Sequence, residues 1–196
     1  MALTRQDLLS LEEYSEKRSD FRKQVMQHKT ARRFYIGESI AFYFESELTV
    51  KYQVQEMLRI EKIFDAEGIQ EELDSYNPLI PDGNGWRATM MIEYVDPDVR
   101  KKRLAELKGV EETLWFGLDS EGKTRFIPTV NPDLERSNED KTSAVHFVFF
   151  DFDDQQKQQI LAASDWFIGI DHPQYGPLSK SIGDRLKVEL AKEIIQ

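Results

Sequence analysis

Two pairs of β-rich runs in this chain are joined by links that are too short to cross over a sheet. Phe34–Ile36 and Ile40–Glu45 are separated only by Gly-Glu-Ser, and Thr113–Leu118 and Lys123–Pro128 are separated by Asp-Ser-Glu-Gly. Parallel strands need a crossover of about a dozen residues, whereas antiparallel strands can be joined by a tight turn. The sequence therefore predicts antiparallel pairs, and this constrains the fold more than any other feature.

Helix start signals lie before and between these runs. Ser10 and Glu13 form a capping box, in which each side chain can bind the other residue's backbone N–H, and this predicts an N-terminal helix over about residues 10–33 that packs on the sheet. Ser46 and the Asp96-Pro97 pair are further start signals. The other predicted helices are Glu47–Asp65, Ile69–Tyr76, Asp96–Lys108, Asp153–Ala163 and Ser179–Ile195.

Three further β-rich runs complete the prediction. They are Trp86–Val95, Thr142–Phe152 and Trp166–Asp171. We expect residues 1–196 to form a single α+β domain, in which a largely antiparallel sheet packs with several helices. The sheet is expected to include Ile40–Glu45, Trp86–Val95, Thr113–Leu118 and Thr142–Phe152.

Composition excludes several classes of protein. The chain has no cysteine, which excludes disulfide scaffolds, thiolate metal sites and cysteine nucleophiles. Its longest apolar runs, such as Ile40–Phe44, are far shorter than the roughly 20 residues of a membrane span. The first residues lack a secretory pattern, so we expect a soluble, cytoplasmic protein that does not bind membranes. A net charge of −10 argues against nucleic-acid binding.

One helix departs from this acidic balance. Residues 17–33 carry seven basic side chains against Asp20, a local charge of +6, so the remainder of the chain carries −16. Arg18, Arg22, Lys29 and Arg33 share one stripe at helical spacing. The stripe is either a groove for an anion or acidic partner, or a solvated face that pairs with acids elsewhere in the protein.

The second predicted helix carries Glu56 and Arg59, three residues apart. Neighbouring carboxylates on a helix suggest a di-iron site, but that site needs Glu-x-x-His on two helices, and Arg59 stands where the histidine would be. An ion pair is the better interpretation. We expect Arg59 to be largely buried and paired with Glu56 or Glu93.

Three histidines are present, and no two of them have the spacing of metal ligands. In a strand, His146 shares one face with Ala144, Val148 and Phe150, which predicts a buried imidazole with a fixed partner. His172 precedes a proline in a predicted loop. We assign no metal ligand.

A ligand site is predicted where three loops, 76–81, 136–141 and 172–175, approach the second helix. Each loop joins stiff residues to side chains that can bind a ligand, so it loses little entropy on binding. Ordinary turn formation and solvated charges are the competing explanation. The candidate binding residues are Glu56, Arg59, Asn77, Arg136, Lys141, His146 and His172.

Several phrases occur together in a recognisable order. They are YQVQEMLRIE at 52–61, ELDSYNPLIP at 72–81, EDKTSAVHF at 139–147 and GIDHPQY at 169–175. Together they resemble the bacterial domain-of-unknown-function family 3501 over nearly the whole chain. The resemblance transfers no catalytic residue and no cofactor.

The resemblance does imply a functional context through neighbouring genes. Members of the family are often encoded beside a rubrerythrin-like protein and an iron–sulfur oxidoreductase subunit, so the resemblance implies a non-catalytic partner or accessory of a redox or oxidative-stress system. The residues leave two alternatives open: a small-molecule-binding domain or enzyme with a polar pocket, and a metal-binding protein that uses histidines and carboxylates. A homo-oligomer is compatible with each of them.

Overall fold

Helix α1 (Leu11–Ala31) begins where its capping residues predict. The Ser10 hydroxyl accepts a hydrogen bond from the Glu13 amide at 3.2 Å, and the Glu13 carboxylate accepts one from the Ser10 amide at 3.3 Å. These two bonds satisfy backbone donors that the first turn of a helix leaves free. The predicted helix over about residues 10–33 is thereby confirmed within two residues at each end.

The computed structural model describes residues 2–130 and 141–195. The other helices are α2 (Glu47–Glu61), α3 (Ala66–Tyr76), α4 (Pro97–Glu106), α5 (Asp154–Ala162) and α6 (Asp184–Ala191). The strands are β1 (Arg33–Ile36), β2 (Ile40–Phe44), β3 (Gly85–Ile92), β4 (Leu114–Gly117), β5 (Arg125–Phe126), β6 (Thr129–Val130), β7 (Val145–Asp151), β8 (Phe167–His172) and β9 (Gly176–Ser181).

The strands form two antiparallel sheets rather than one. The first sheet has the order β1-β2-β3-β7-β6, and the second has the order β5-β4-β8-β9. The α+β class and the antiparallel pairing are confirmed. The predicted membership is wrong for one run, because Leu114–Gly117 pairs with β5 and β8 in the second sheet.

The inner face of the first sheet packs on the second sheet. Trp86 lies at the centre of this core, with ring centroids 5.0 Å from Phe116 and 5.3 Å from Trp166. Its indole N–H donates to the Leu190 carbonyl at 2.9 Å, so the ring buries no unpaired donor. Helix α6 is held against the same core by this bond.

The outer face of the first sheet is covered by α2 and α3. Val54, Leu58 and Leu73 are buried here, with Phe147 and Phe149 of β7 packed against them. Helix α1 lies outermost and contacts α2 through Phe21, whose ring is 5.9 Å from that of Tyr52. The order of layers is therefore helices, first sheet, second sheet.

The C-terminal segment differs from its prediction. The sequence predicts one helix over Ser179–Ile195. Ser179 instead belongs to β9, where it pairs with Gly169 of β8, and α6 starts only at Asp184. Pairing with β8 outweighs the helical pattern because it satisfies a row of backbone groups that β8 would otherwise leave open. Among the described residues, no helix is long and apolar enough to cross a membrane.

Candidate functional site

A cavity of about 470 Å³ lies between the helices and the outer face of the first sheet. The sheet side of the cavity is a patch of adjacent cross-strand neighbours: Tyr43 faces Thr89, Thr89 faces Phe147, and Met91 faces Val145. They share this face because side chains on a strand alternate between its two sides. The helical side is supplied by Met26 and Lys29 of α1, Val50 and Gln53 of α2, and Tyr76 of α3.

Glu45 places a carboxylate in the wall of this cavity. Its Oε2 accepts a hydrogen bond from the Thr49 hydroxyl at 2.5 Å, and its Oε1 accepts one from the Thr89 hydroxyl at 2.6 Å. Its backbone is fixed as well, since the amide donates to the Arg87 carbonyl at 2.7 Å and the carbonyl accepts from Arg32 at 2.8 Å. Glu45 is therefore held in position by four hydrogen bonds, which come from the end of α1, from α2 and from β3.

The carboxylate has no cationic partner within the described part of the chain, although only 8% of Glu45 is exposed. Burying a carboxylate without a counter-ion is costly. The adjacent start of α2 offsets part of this cost, because Ser46 caps the helix and the positive end of the helix dipole lies beside Thr49. Two hydroxyl donors still leave acceptor sites on the carboxylate oxygens.

Two further polar side chains line the cavity. Lys29 is half-buried and makes no ion pair with any described residue, and the Gln53 amide has no hydrogen bond there. Apolar and aromatic side chains form much of the remaining wall. The arrangement is a largely apolar chamber with one anionic point at Glu45 and a cationic point at Lys29.

Glu56 and Arg59 lie away from this cavity, on the outer side of α2. Glu56 accepts two hydrogen bonds from Arg18, at 2.7 and 2.8 Å, and one from the Tyr14 hydroxyl at 2.7 Å. The Arg18 guanidinium, with smaller contributions from Tyr14 and Arg59, lowers the pKa of Glu56 to about 2, against the opposing effect of burial. Glu56 is an anchor between α1 and α2.

Arg59 was expected to be buried, and this is wrong: its side chain is 40% exposed. It does pair with Glu56, at 3.2 Å, as one of the two predicted partners. Glu93, the other, accepts instead from the Tyr43 hydroxyl at 2.9 Å. Arg59 is exposed because its position on α2 faces away from the sheet, towards the N-terminal half of α1.

Asn77 fixes the N-terminal segment. Its side-chain oxygen accepts from the Leu3 amide at 2.8 Å, and its side-chain nitrogen donates to the Leu3 carbonyl at 3.0 Å. The amide group thus completes a backbone-like pair with residue 3. It also lines a separate, more open depression together with Arg87.

His146 is buried on the inner face of the first sheet, as its strand position predicts. Its Nε2 lies 2.9 Å from the Thr142 hydroxyl and 3.0 Å from the Ser143 carbonyl. Thr142 also donates to Glu111 at 3.0 Å, so these polar groups form one buried cluster. Lys141, at the start of this segment, is exposed.

His172 ends β8 rather than standing in a loop. Its Nδ1 accepts from the Gln174 amide at 3.2 Å, which leaves Nε2 as the donor to the Lys108 carbonyl at 3.0 Å. Across residues 2–130 and 141–195, no three His, Asp or Glu side chains are grouped so that they could hold a metal ion.

Those predicted site residues that the structure describes therefore do not meet in one pocket. Glu56 and Arg59 lie between helices, Asn77 holds the N-terminus, and His146 and His172 are bound within the inner core. Arg136 lies outside the described residues. Asn77 and His172 do not converge because each already makes hydrogen bonds within the chain, whereas the prediction assumed that side chains in stiff loops remain free.

Sequence reasoning missed the cavity and its carboxylate. Glu45 ends a strand and directly precedes the Ser46 cap, and this signal could have marked a carboxylate beside a helix N-terminus. The role of Thr89 carried no local signal, because it depends on the register in which Tyr43 faces Thr89.

The comparisons with known proteins agree with one another. The family model for a protein of unknown function, DUF3501, matches residues 2–194. A crystal structure from Burkholderia pseudomallei K96243, described as a novel protein of unknown function, is similar with 40% sequence identity and a TM-score of 0.89. The match covers 99% of this chain and 100% of that one. No curated protein matches. The chain belongs to the DUF3501 family.

Proposed function

We propose that this protein binds a small molecule in the cavity between α1–α3 and the first sheet, and that Glu45 anchors a protonated amine of the ligand. The observation that carries the proposal is the buried carboxylate of Glu45, which has two hydroxyl donors but no counter-ion among the described residues. An ammonium group would supply the missing charge and use the remaining acceptor sites.

The size and the lining of the cavity suit a compact, largely apolar ligand. Its volume of about 470 Å³ falls in the usual range for small-molecule sites, which is about 300–1,000 Å³. Met91, Tyr76 and Phe147 offer apolar surface, and Lys29 and Gln53 offer donors at a second point. The favoured ligand is an aromatic or aliphatic amine that carries an acceptor group away from the amine.

The test compares 2-phenylethylamine with its neutral analogue 2-phenylethanol by thermal denaturation. At ten times its Kd, a ligand stabilises the fold by about 1.4 kcal/mol, which raises the midpoint by about 3–6 °C in a domain of this size. We expect the amine to raise the midpoint of the wild-type protein more than the alcohol does. Glu45→Gln should abolish that preference.

Glu47→Gln is the matched control. Glu47 lies two residues after Glu45 and is exposed, so the substitution removes the same charge outside the cavity. It should keep the preference for the amine. If both compounds raise the midpoint equally in the wild-type protein, the cavity binds ligands but Glu45 is not an anchor for amines. If neither raises it, the binding function itself is refuted for this class of ligand.

Docking onto a redox enzyme, as the family resemblance implies, is a second proposal. The supporting observation is the exposure of Ile60, near the end of α2, and of Phe64, three residues beyond that end, at 60% and 68%. Contiguous exposed apolar surface is typical of partner sites. Co-purification with the rubrerythrin-like protein or the oxidoreductase subunit, lost in an Ile60→Ser and Phe64→Ser double variant, would support it, and no co-purification of the wild-type protein would contradict it.

A further inference from the structure

Three arginines meet on the outer surface of the helical layer. Arg18 and Arg22 of α1 and Arg59 of α2 line an open depression of about 630 Å³, together with the hydroxyl-bearing Ser15 and Ser19. The depression lies on the part of α1 where basic residues accumulate in an otherwise acidic chain. It does not share a lining residue with the cavity at Glu45.

Glu56 orients two of these guanidinium groups. Its carboxylate accepts hydrogen bonds from Nε and Nη2 of Arg18 at 2.7 and 2.8 Å. It also accepts hydrogen bonds from Nε and Nη2 of Arg59 at 3.3 and 3.2 Å. Each arginine has five N–H donors, so each keeps donors that Glu56 does not use. Glu56 is itself held by the Tyr14 hydroxyl at 2.7 Å. The two arginines are thus prepositioned before any ligand arrives.

Arg22 is exposed and has no ion pair or hydrogen bond to the described residues. The interaction of Arg18 and Arg59 with Glu56 neutralises one of the three positive charges, so the cluster keeps a charge of +2. A phosphate monoester carries about −1.5 to −2 at neutral pH and three acceptor oxygens. Charge and donor count therefore match this group.

We propose that Arg18, Arg22 and Arg59 form a binding site for a phosphate monoester, with Glu56 as the residue that positions Arg18 and Arg59. Arginine suits this role because its planar fork binds two phosphate oxygens at once. Ser15 and Ser19 add hydroxyl donors at the edge of the depression. The site is independent of the proposed amine site, and either can fail without the other.

The experiment titrates ¹⁵N-labelled protein with inorganic phosphate and with glycerol 3-phosphate at constant ionic strength, set with sodium chloride. We expect saturable shifts confined to residues around Ser15, Arg22 and Arg59. A hydrogen bond to a charged group contributes enough that Arg22→Gln should weaken binding by about tenfold or more. Lys17→Gln is the control, since Lys17 is exposed on the same helix outside the depression.

Lys17→Gln should change the dissociation constant by less than about twofold, as expected for a charge that is screened by salt. Equal weakening by Arg22→Gln and Lys17→Gln would overturn the site, because the binding would then follow the general charge of α1. The absence of saturable shifts with both phosphates would also overturn it. Tighter binding of glycerol 3-phosphate than of inorganic phosphate would support a monoester as the ligand, and the reverse would contradict the monoester in favour of free phosphate.

Arg59→Gln provides a second test on the other helix, and the position is exposed enough for the fold to tolerate it. It should weaken phosphate binding while the spectrum elsewhere stays unchanged. Unchanged phosphate affinity in Arg59→Gln would remove α2 from the site and contradict the proposal as stated.

Discussion

The two faces of the first sheet differ in packing: the inner face is filled by aromatic side chains, and the outer face borders the cavity. The inner face is buried and largely aromatic, with Trp86 and Phe150 packed against the second sheet. The outer face, on the same strands, carries Tyr43, Arg87 and Thr89 among its apolar residues and leaves a cavity beneath the helices. Because neighbouring residues on a strand face opposite sides, one short sequence can supply both a stabilising core and a polar site. The difference predicts that stability depends on the inner face and binding on the outer face.

The largest effect is expected at the centre of the inner face. Trp86→Ala removes a fully buried ring with five aromatic neighbours within about 6.3 Å and a hydrogen bond to Leu190. Truncating a buried tryptophan costs about 3–5 kcal/mol. Urea denaturation followed by circular dichroism would measure this loss. Met91→Ala, on the outer face of the same strand, should cost clearly less because Met91 already borders the cavity; an equal loss would contradict the division between the faces.

A smaller effect is expected at the boundary between the two regions. Arg32 is 3% exposed, donates to the carbonyls of Phe44 and Glu45, and pairs with Glu193 at 2.5 Å. Burial raises the pKa of Glu193 to about 7, against the opposing effect of Arg32. The folded state therefore holds the proton of Glu193 more tightly than the unfolded chain, whose pKa is the ordinary 4.5.

The stability that this proton confers is complete below about pH 4.5 and is lost as pH rises through about 7. The difference between the two pKa values sets an upper limit of about 3 kcal/mol on the loss. Denaturation of wild-type protein and Glu193→Gln between pH 5 and 8 would measure it, since other titrating groups cancel in the comparison. Parallel pH profiles for the two proteins would show that Glu193 does not titrate in this window.

How far the sequence predicts each region follows from how local its signals are. The capping box at Ser10 and Glu13 and the β-rich run that contains β7 act over a few residues, and both predictions are confirmed. The strand β9 was missed because its exposed residues become a strand only through pairing with β8. The carboxylate of Glu45 was missed for the same reason, since Thr89 reaches it only when β2 and β3 are in register.

Glu45→Gln tests whether the outer region gives up stability for binding. An uncompensated buried carboxylate is unfavourable, whereas glutamine can keep both hydroxyl contacts because a hydroxyl both donates and accepts. We therefore expect the variant to be as stable as the wild-type protein or up to about 1 kcal/mol more stable, as is common for functional residues. Urea denaturation would measure it. A loss of more than about 2 kcal/mol would mean that the carboxylate serves the fold rather than a ligand.

The smallest effect is expected for Arg59→Met, on the outermost surface. If Arg59 were buried, its removal would leave the Glu56 carboxylate unpaired and would cost about 3–5 kcal/mol of folding stability. Arg59 is instead 40% exposed, and Glu56 keeps its shorter bonds to Arg18 and Tyr14. An exposed ion pair contributes about 0.2–1 kcal/mol, so the variant should lose no more than that in urea denaturation.

Glu56→Gln should cost more, because Glu56 joins α1 to α2 through Tyr14 and Arg18 as well as binding Arg59. If the two substitutions were equally destabilising, the Arg59 pair would account for the whole effect of Glu56, and the outer helices would be held by a different set of contacts.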